Sequence, residues 1–550
     1  MMSRIDEPRN DLTTGSTPTD LRPPRGEWAA LLLLLGAFLA FNLATCNYYP
    51  TVWCDEVWFA EPAVNAVRFG SFTTLIWQFQ PFNSFPVVNC PLYPMALVPW
   101  LAATGTNLLA VRSLNYALMT SAGFLFWLSS WRLGLVRSSL LRLVMVAVLY
   151  LGYGMSYSYR CSRPDILGMN CLLLLLLAFQ IRRPRLRKAC LAALAAVTVW
   201  IGLQVALFAW FAAAVAVVFL RRLGLREMVV LSVGMVLGGG ALALFLAWKG
   251  VLAYFLSSTF LIVGKHYAHE PHISAGVVIL RIIRYSLRNY VEDFSTVAIT
   301  LGLAAMLVAV WKQLSLATRR LVLWCLVVVF AVPPVFNVIG HFAFYYAYMR
   351  FAPAMLAFFS VYSDLVTPSN RPRPLLRLVF GTTLALATIV GLPLRLALSP
   401  LMYRLAPRSE IKRIIKARIS ATDVVFTQQA AFFEAKEITQ AVYDIFSSPS
   451  FLYFPVPGRR EFSAERRQAV SVLVIRPEQI QQVTNFFGGI WTPVSGPFGD
   501  TPNYQRLARL PIIGGRLVHY AEQPQNLRCP LQVFRRLSAS AETPPGGAPR

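Results

Sequence analysis

Apolar runs long enough to cross a bilayer recur from residue 28 to about 396, and they decide what this chain can become. A hydrocarbon core offers no water to an open backbone, so such a run must satisfy its own hydrogen bonds as a helix. Composition agrees, since 56% of the 550 residues are hydrophobic and 14% are charged, where a soluble domain carries about 25% charged residues. The expected fold class is mainly α, a polytopic transmembrane helical bundle followed by a soluble α/β domain.

A net charge of +26 would suit a nucleic-acid binder, but the distribution argues otherwise. Arg132, Arg137 and Arg142 form one cluster, Arg182 to Lys188 another, and Arg221, Arg222 and Arg226 a third. Lys312 with Arg319 and Arg320, and Arg371 with Arg373 and Arg377, follow. Basic clusters in short loops between spans mark the cytoplasmic side, and the surplus also suits anionic lipid.

Residues 1–26 are polar and read as a disordered cytoplasmic tail. Trp28 to Cys46 reads as an uncleaved signal anchor, N-terminus inside. Further runs lie near 112–131, 139–156, 164–181, 189–204, 206–220, 228–248, 291–311, 321–337, 343–362 and 377–396. Together they predict about eleven crossings and an outside C-terminus. The stretch 189–220 fits two tight spans or one tilted helix, and the later basic loops favour two. The membrane domain is thus 27–398, with an outside loop over 47–111. That loop is aromatic throughout, which predicts amphipathic segments lying on the membrane. Pro91-Leu92-Tyr93-Pro94 opens a segment to Ala103 that reads as juxtamembrane.

From Ser399 the charge density becomes ordinary. Segments 423–426 and 469–475 read as buried strands, and 409–418 and 477–487 as helices. Residues 399–538 are therefore expected to form an extracytoplasmic α/β domain, and 539–550 a disordered tail. Cys46, Cys171, Cys190 and Cys325 fall in or near apolar runs and suit small core residues. Cys54 and Cys90 share the outside loop, where a disulfide and two separate thiols both fit the sequence.

Two polar stretches carry the chemical signal. Trp53-Cys54-Asp55-Glu56-Val57-Trp58 sets adjacent carboxylates just past the first run. Such a pair is either solvated at a helix end or functional, and acids beside a membrane lean towards function. Tyr159-Arg160-Cys161-Ser162-Arg163-Pro164-Asp165 lies at the mouth of two later runs, on the same predicted face. Burying a lone carboxylate is costly, so Asp165 is expected to pair with Arg160 or Arg163, to act on substrate, or both.

An acidic pair in the first outside loop, then Pro-Leu-Tyr, then Arg-Pro-Asp resembles the GT-C superfamily of membrane glycosyltransferases. The pattern is most similar to the lipid A aminoarabinose transferases and the protein O-mannosyltransferases, over roughly 28–396. Tyr345, Tyr346, Tyr348, Arg350 and Pro353 resemble the family's late Arg-Pro motif. The resemblance implies a polyprenyl-phosphate sugar donor and a lipid, glycan or protein acceptor on the extracytoplasmic face of the plasma or inner membrane. It implies Asp55 as the acid-base group, Glu56 assisting it, and Asp165 supporting the acceptor or a metal. Inversion at the anomeric carbon would be expected.

The leaving phosphate needs cations. Arg350 and then Lys265 are the candidates, with Arg163, Tyr345 and Tyr348 alongside; Arg350 equally suits an interfacial anchor. No cofactor is certain from the sequence. His266 and His269 could hold a divalent metal ion, although Pro271 interrupts any helix there and solvated histidines suit the segment as well. No Walker-type P-loop, dinucleotide glycine motif or HExxH occurs. Gly238-Gly239-Gly240, within an apolar run, is expected to ease helix packing. The alternative function class is a transporter or lipid flippase, which would favour acids near the midplane. Here Asp55, Glu56 and Asp165 gather at one predicted surface.

Overall fold

The computed structural model describes residues 23–77, 80–87, 90–220, 224–261, 275–339, 342–366, 374–445, 462–503, 520 and 528–537. Each predicted run is occupied by helix. In chain order these are α1 (Arg25–Thr45), α4 (Leu108–Arg132), α5 (Ser139–Leu151) with α6 (Tyr153–Arg160), α7 (Asp165–Ala178), α8 (Pro184–Ile201), α9 (Leu203–Leu220) and α10 (Leu225–Trp248). Helices Phe294–Val310, Leu316–Ile339, Tyr348–Leu365, Pro374–Ile389 and Leu392–Met402 complete the bundle. Among the described residues six helices are long and apolar enough to cross a membrane, or up to eight if each bent pair is one span. The stretch 189–220 resolves into two helices, α8 and α9, separated at Gly202.

The bend between α5 and α6 is 66°. It falls at Gly152, where a Cβ would sit 2.5 Å from Phe351 Cε1, so glycine leaves room for the Phe351 ring against the bend. A broken helix frees backbone donors that must find partners. Ser295 Oγ accepts from Tyr153 N at 2.8 Å and Asp293 Oδ1 from Gly154 N at 3.4 Å.

One end of the bundle is locked by Glu27 in the first turn of α1. Its carboxylate accepts from Arg142 Nε (2.7 Å) and Nη2 (2.6 Å), Trp127 Nε1 (2.7 Å) and Ser139 Oγ (2.6 Å). Gly234 and Gly238, one turn apart on α10, face the backbone of Ala192 and Ala196 on α8, and a Cβ at Gly238 would lie 2.6 Å from Ala196 Cα. Gly239 and Gly240 would meet nothing within 4 Å, so the expected packing role belongs to Gly238 alone of the three.

The segment after α1 departs from expectation. Helix α2 (Cys54–Phe69) does not lie exposed along a surface; it is buried along most of its length, whereas the neighbouring α3 (Leu92–Thr104) buries one stripe, Tyr93, Pro94, Leu97 and Leu101. Val57, Phe59, Ala60, Ala63 and Val64 pack in one cluster with Ile411, Ile415, Phe432, Phe433, Val442 and Val472 from the C-terminal region. The reason is composition by face: α2 is apolar around most of its circumference, so one buried side would leave the other wet.

The C-terminal region carries a five-stranded sheet in the order β3-β2-β4-β7-β5. Its strands are β2 (Val425–Thr427), β3 (Val442–Asp444), β4 (Val472–Ile475), β5 (Trp491–Pro493) and β7 (Gln532–Arg536). β3, β2 and β4 are parallel, and β7 and β5 antiparallel. β1 (Tyr403–Arg404) and β6 (Thr501–Pro502) form a separate antiparallel pair. The two predicted strands are β2 and β4.

Candidate functional site

The two acidic stretches meet. Trp53 is extended, and Cys54 opens α2, so Asp55 and Glu56 fall in its first turn, where the helix dipole favours carboxylates. Residues 161–163 form the turn between α6 and α7, held by Asn115 Nδ2 donating to the carbonyls of Cys161 and of Arg163, the latter at 2.9 Å. From that turn Arg163 reaches both acids. Its Nη1 donates to Asp55 Oδ2, and its Nε donates to Asp165 Oδ2 at 2.7 Å. Arg163 and Asp165 are fully buried, while the Asp55 side chain remains 16% exposed. Asp165 Oδ1 is buried without a hydrogen-bond partner among the described residues.

Aromatic rings wall the arginine. Its Cζ lies 3.7 Å from the Tyr345 ring centroid, 5.0 Å from Trp53 and 5.8 Å from Phe59. Tyr348 is buried, and its hydroxyl has no hydrogen-bond partner among the described residues. The arrangement therefore presents one reachable carboxylate, oriented by a buried cation and backed by a second carboxylate with a spare lone pair. Such a group can take a proton from a hydroxyl brought against it.

Glu56, next in sequence, is fully committed elsewhere. Arg112 Nε and Nη2 donate to its two oxygens at 2.7 and 2.8 Å, and Ser162 N donates at 3.2 Å. Arg112 Nη1 also donates to the carbonyls of Cys46 (2.6 Å) and Pro50 (3.1 Å). This buried pair ties α2 to α4 and to the 161–163 turn. Tyr93, from the Pro-Leu-Tyr segment, shares a 2.8 Å hydrogen bond with Ser162 Oγ.

The other predicted residues divide. Arg350 sits apart: its Nε donates to Val329 O (3.2 Å) and its Nη1 to Asn289 O (2.8 Å), beneath the Tyr290 ring. Lys265, His266 and His269 lie outside the described residues. Among the described residues no group of three or more His, Cys, Asp or Glu could hold a metal ion. Cys54 and Cys90 are separate buried thiols, packed in different clusters.

Arg112 and Arg395 escaped sequence reasoning, and Arg160, one of the two expected partners of Asp165, is engaged elsewhere while Arg163 takes that role. Arg112 holds Glu56. Arg160 donates from Nε to Tyr49 O at 2.7 Å and reaches Asn42 and Thr45 at the end of α1. Arg395 lies 3.4 Å from the Tyr153 ring centroid and donates to Tyr153 O at 2.7 Å. The available signal was an arginine within or at the edge of an apolar run, where a charge must be paired or hydrogen-bonded.

On the far side of α2, Glu61 is fully buried. It accepts from Thr74 Oγ1 (2.6 Å) and Leu75 N (3.0 Å), and pairs with Lys436 Nζ (3.4 Å). Burial pushes the Lys436 ammonium below its ordinary value despite Glu61, which pulls the other way.

No family model matches the sequence, and no curated protein is similar to it in sequence. Solved structures are similar in fold. The crystal structure of ArnT from Cupriavidus metallidurans bound to undecaprenyl phosphate aligns over 87% of this chain and 98% of its own, at 13% identity and a TM-score of 0.51. The apo form of the same protein aligns over 94% and 100%, at 12% identity and a TM-score of 0.52. The chain has the ArnT fold. A bundle of membrane-length helices followed by an α/β region is the architecture expected from the sequence.

Proposed function

We propose that this chain is an integral membrane glycosyltransferase that moves a sugar from a polyprenyl-phosphate carrier to a lipid, glycan or protein acceptor on the extracytoplasmic face. The observation that carries the reading is the half-buried Asp55 joined through Arg163 to Asp165, at the end of an apolar bundle. The undecaprenyl phosphate bound by the ArnT neighbour supports the donor class.

In this reading Asp55 accepts the proton of the acceptor hydroxyl as its oxygen attacks the anomeric carbon. The bond from that carbon to the phosphate oxygen breaks, and polyprenyl phosphate leaves with the electron pair. Displacement from the opposite face inverts the anomeric configuration. Arg163 orients Asp55, Asp165 holds Arg163, and its spare lone pair receives a substrate hydroxyl. Tyr345 and Tyr348 border the sugar, and Glu56 positions α2 through Arg112 instead of touching substrate.

The test is transfer of labelled sugar from a mixed polyprenyl-phosphate donor pool in membranes, wild type against Asp55→Asn. A positioned base contributes about 10²–10⁴-fold, so a folded Asp55→Asn protein should lose at least a hundredfold of the rate. Equal transfer by both proteins removes Asp55 from this role.

A further inference from the structure

The helix Ala275–Glu292 has three faces. Ser286 and Asn289 are buried and fasten it to the bundle. Asn337 Nδ2 donates to Ser286 Oγ (3.1 Å) and to Asn289 Oδ1 (3.0 Å), and the Tyr290 hydroxyl donates to Phe330 O. Leu280, Ile283, Leu287 and Val291, spaced by three and four residues, form a second face and are 49–64% exposed. Arg281, Arg284 and Arg288 keep the same spacing roughly a quarter-turn round the helix. Arg284 and Arg288 are exposed, and Arg288 also pairs with Glu292.

Neither water nor the bilayer centre suits such a helix. A row of large apolar side chains is costly to leave in water, and three arginines with a glutamate are costly in hydrocarbon. Both costs fall at the boundary, where the apolar row enters the acyl region and the arginines beside it reach the headgroups. The helix is also tied to the end of the bundle that holds the site. Asn289 Nδ2 donates to Phe342 O (3.0 Å), and Arg350 Nη1 donates to Asn289 O (2.8 Å). The Phe342 ring lies 5.9 Å from that of Tyr346, which lies 4.8 Å from Tyr345, the ring against Arg163. A guanidinium beside lipid matches phosphate in charge and in its paired donors.

We propose that the helix Ala275–Glu292 seats in the leaflet at the Asp55 end of the bundle and that Arg284 and Arg288 bind the phosphate headgroups of anionic glycerophospholipids there. The occupant is the surrounding leaflet, recognised by an apolar row for its acyl chains and a basic row for its phosphates. The assignment is independent of the glycosyltransferase reading, because lipid binding is measured without sugar transfer.

The experiment places the purified full-length protein in phosphatidylcholine nanodiscs with a trace of either phosphatidylglycerol or phosphatidylcholine carrying an acyl-chain diazirine. After irradiation, the labelled peptides are mapped by mass spectrometry. Attraction of anionic lipid is worth about fivefold per arginine near the surface. Phosphatidylglycerol should therefore label residues 280–291 at least about fivefold more than phosphatidylcholine does. Arg284→Gln/Arg288→Gln should bring that ratio close to one while both lipids still label the helix. Where the double variant does not fold, wild type in about 0.5 M salt makes the same comparison, since screening acts on charge and not on acyl contact. Equal labelling of wild type by the two lipids overturns the headgroup assignment, and so does a ratio that survives in the folded double variant. Absence of label from 280–291 with both lipids overturns the seating of the helix in the leaflet. Cross-links from this helix to a second copy of the chain, or loss of the phosphatidylglycerol label to an equal trace of undecaprenyl phosphate, would assign the face to another occupant and overturn the proposal.

Discussion

Replacing Glu56 by Gln separates a positioning carboxylate from a catalytic one. Glu56 and Arg112 are both 0% exposed, and two charged hydrogen bonds of 2.7 and 2.8 Å join them. The amide keeps the volume but leaves the Arg112 guanidinium buried without its counter-charge. Removing one partner of a buried pair costs about 3–5 kcal/mol. Two carbonyls still accept from Arg112 Nη1, which places the expected loss near 3 kcal/mol, the low end of that range. The assay is thermal unfolding of detergent-solubilised protein followed by recovery of monodisperse material, with transfer measured on the fraction that survives. Glu56→Gln should melt well below wild type yet retain transfer within about tenfold at low temperature, a change of 1.4 kcal/mol or less in the barrier. The double variant Glu56→Leu/Arg112→Met removes both charges and should regain much of the lost stability, since apolar replacement of a whole buried pair is often neutral. A Glu56→Gln protein that melts like wild type but transfers nothing would refute the reasoning and make Glu56 a partner of Asp55 in the chemistry.

Other outcomes follow from the same geometry. Lys436→Met strands Glu61, which keeps its hydrogen bonds from Thr74 and Leu75; the expected loss is about 2–3 kcal/mol, seen as faster proteolytic release of the C-terminal domain. Gly238→Leu should destabilise the bundle by bringing Cβ against the Ala196 backbone, while Gly239→Ala should be silent, compared by melting. At Asp423, burial alone would raise the carboxyl, but hydrogen bonds from Ser420, Arg535 and Ser471 outweigh it and hold the group below its ordinary 3.8. A carboxyl lowered by folding stabilises the folded state above its unfolded value and loses that contribution as pH falls through the folded one. Urea unfolding of wild type should therefore weaken below about pH 4 more steeply than that of Asp423→Asn.

The helices were legible because hydrophobicity over a bilayer length is a local property of the chain. Strands β2 and β4 were legible for a similar reason, as short continuous apolar runs. Arg163 and Asp165 stand two residues apart, so their pairing could be anticipated. The ion pairs of Glu56 and Glu61 were not legible because their partners are remote: Arg112 is 56 positions away and Lys436 is 375. With those partners out of view, the burial of α2 could not be read. β3, β5 and β7 were missed because none is recognisable without the neighbour it pairs with.

The pairing of Glu61 with Lys436 also sets an order of events during synthesis. Helix α2 emerges early and can be pinned to the bundle by Arg112 as soon as α4 is made. Its other side waits until residue 436, and the sheet beneath it until β7, close to the end of the chain. Domains generally fold as units while the chain is produced, so Val57 and Ala60 of α2 pass through a long interval without the sheet they pack on. Termination before β7 would leave α2 without Val533, a member of the apolar cluster that packs on its sheet-facing side.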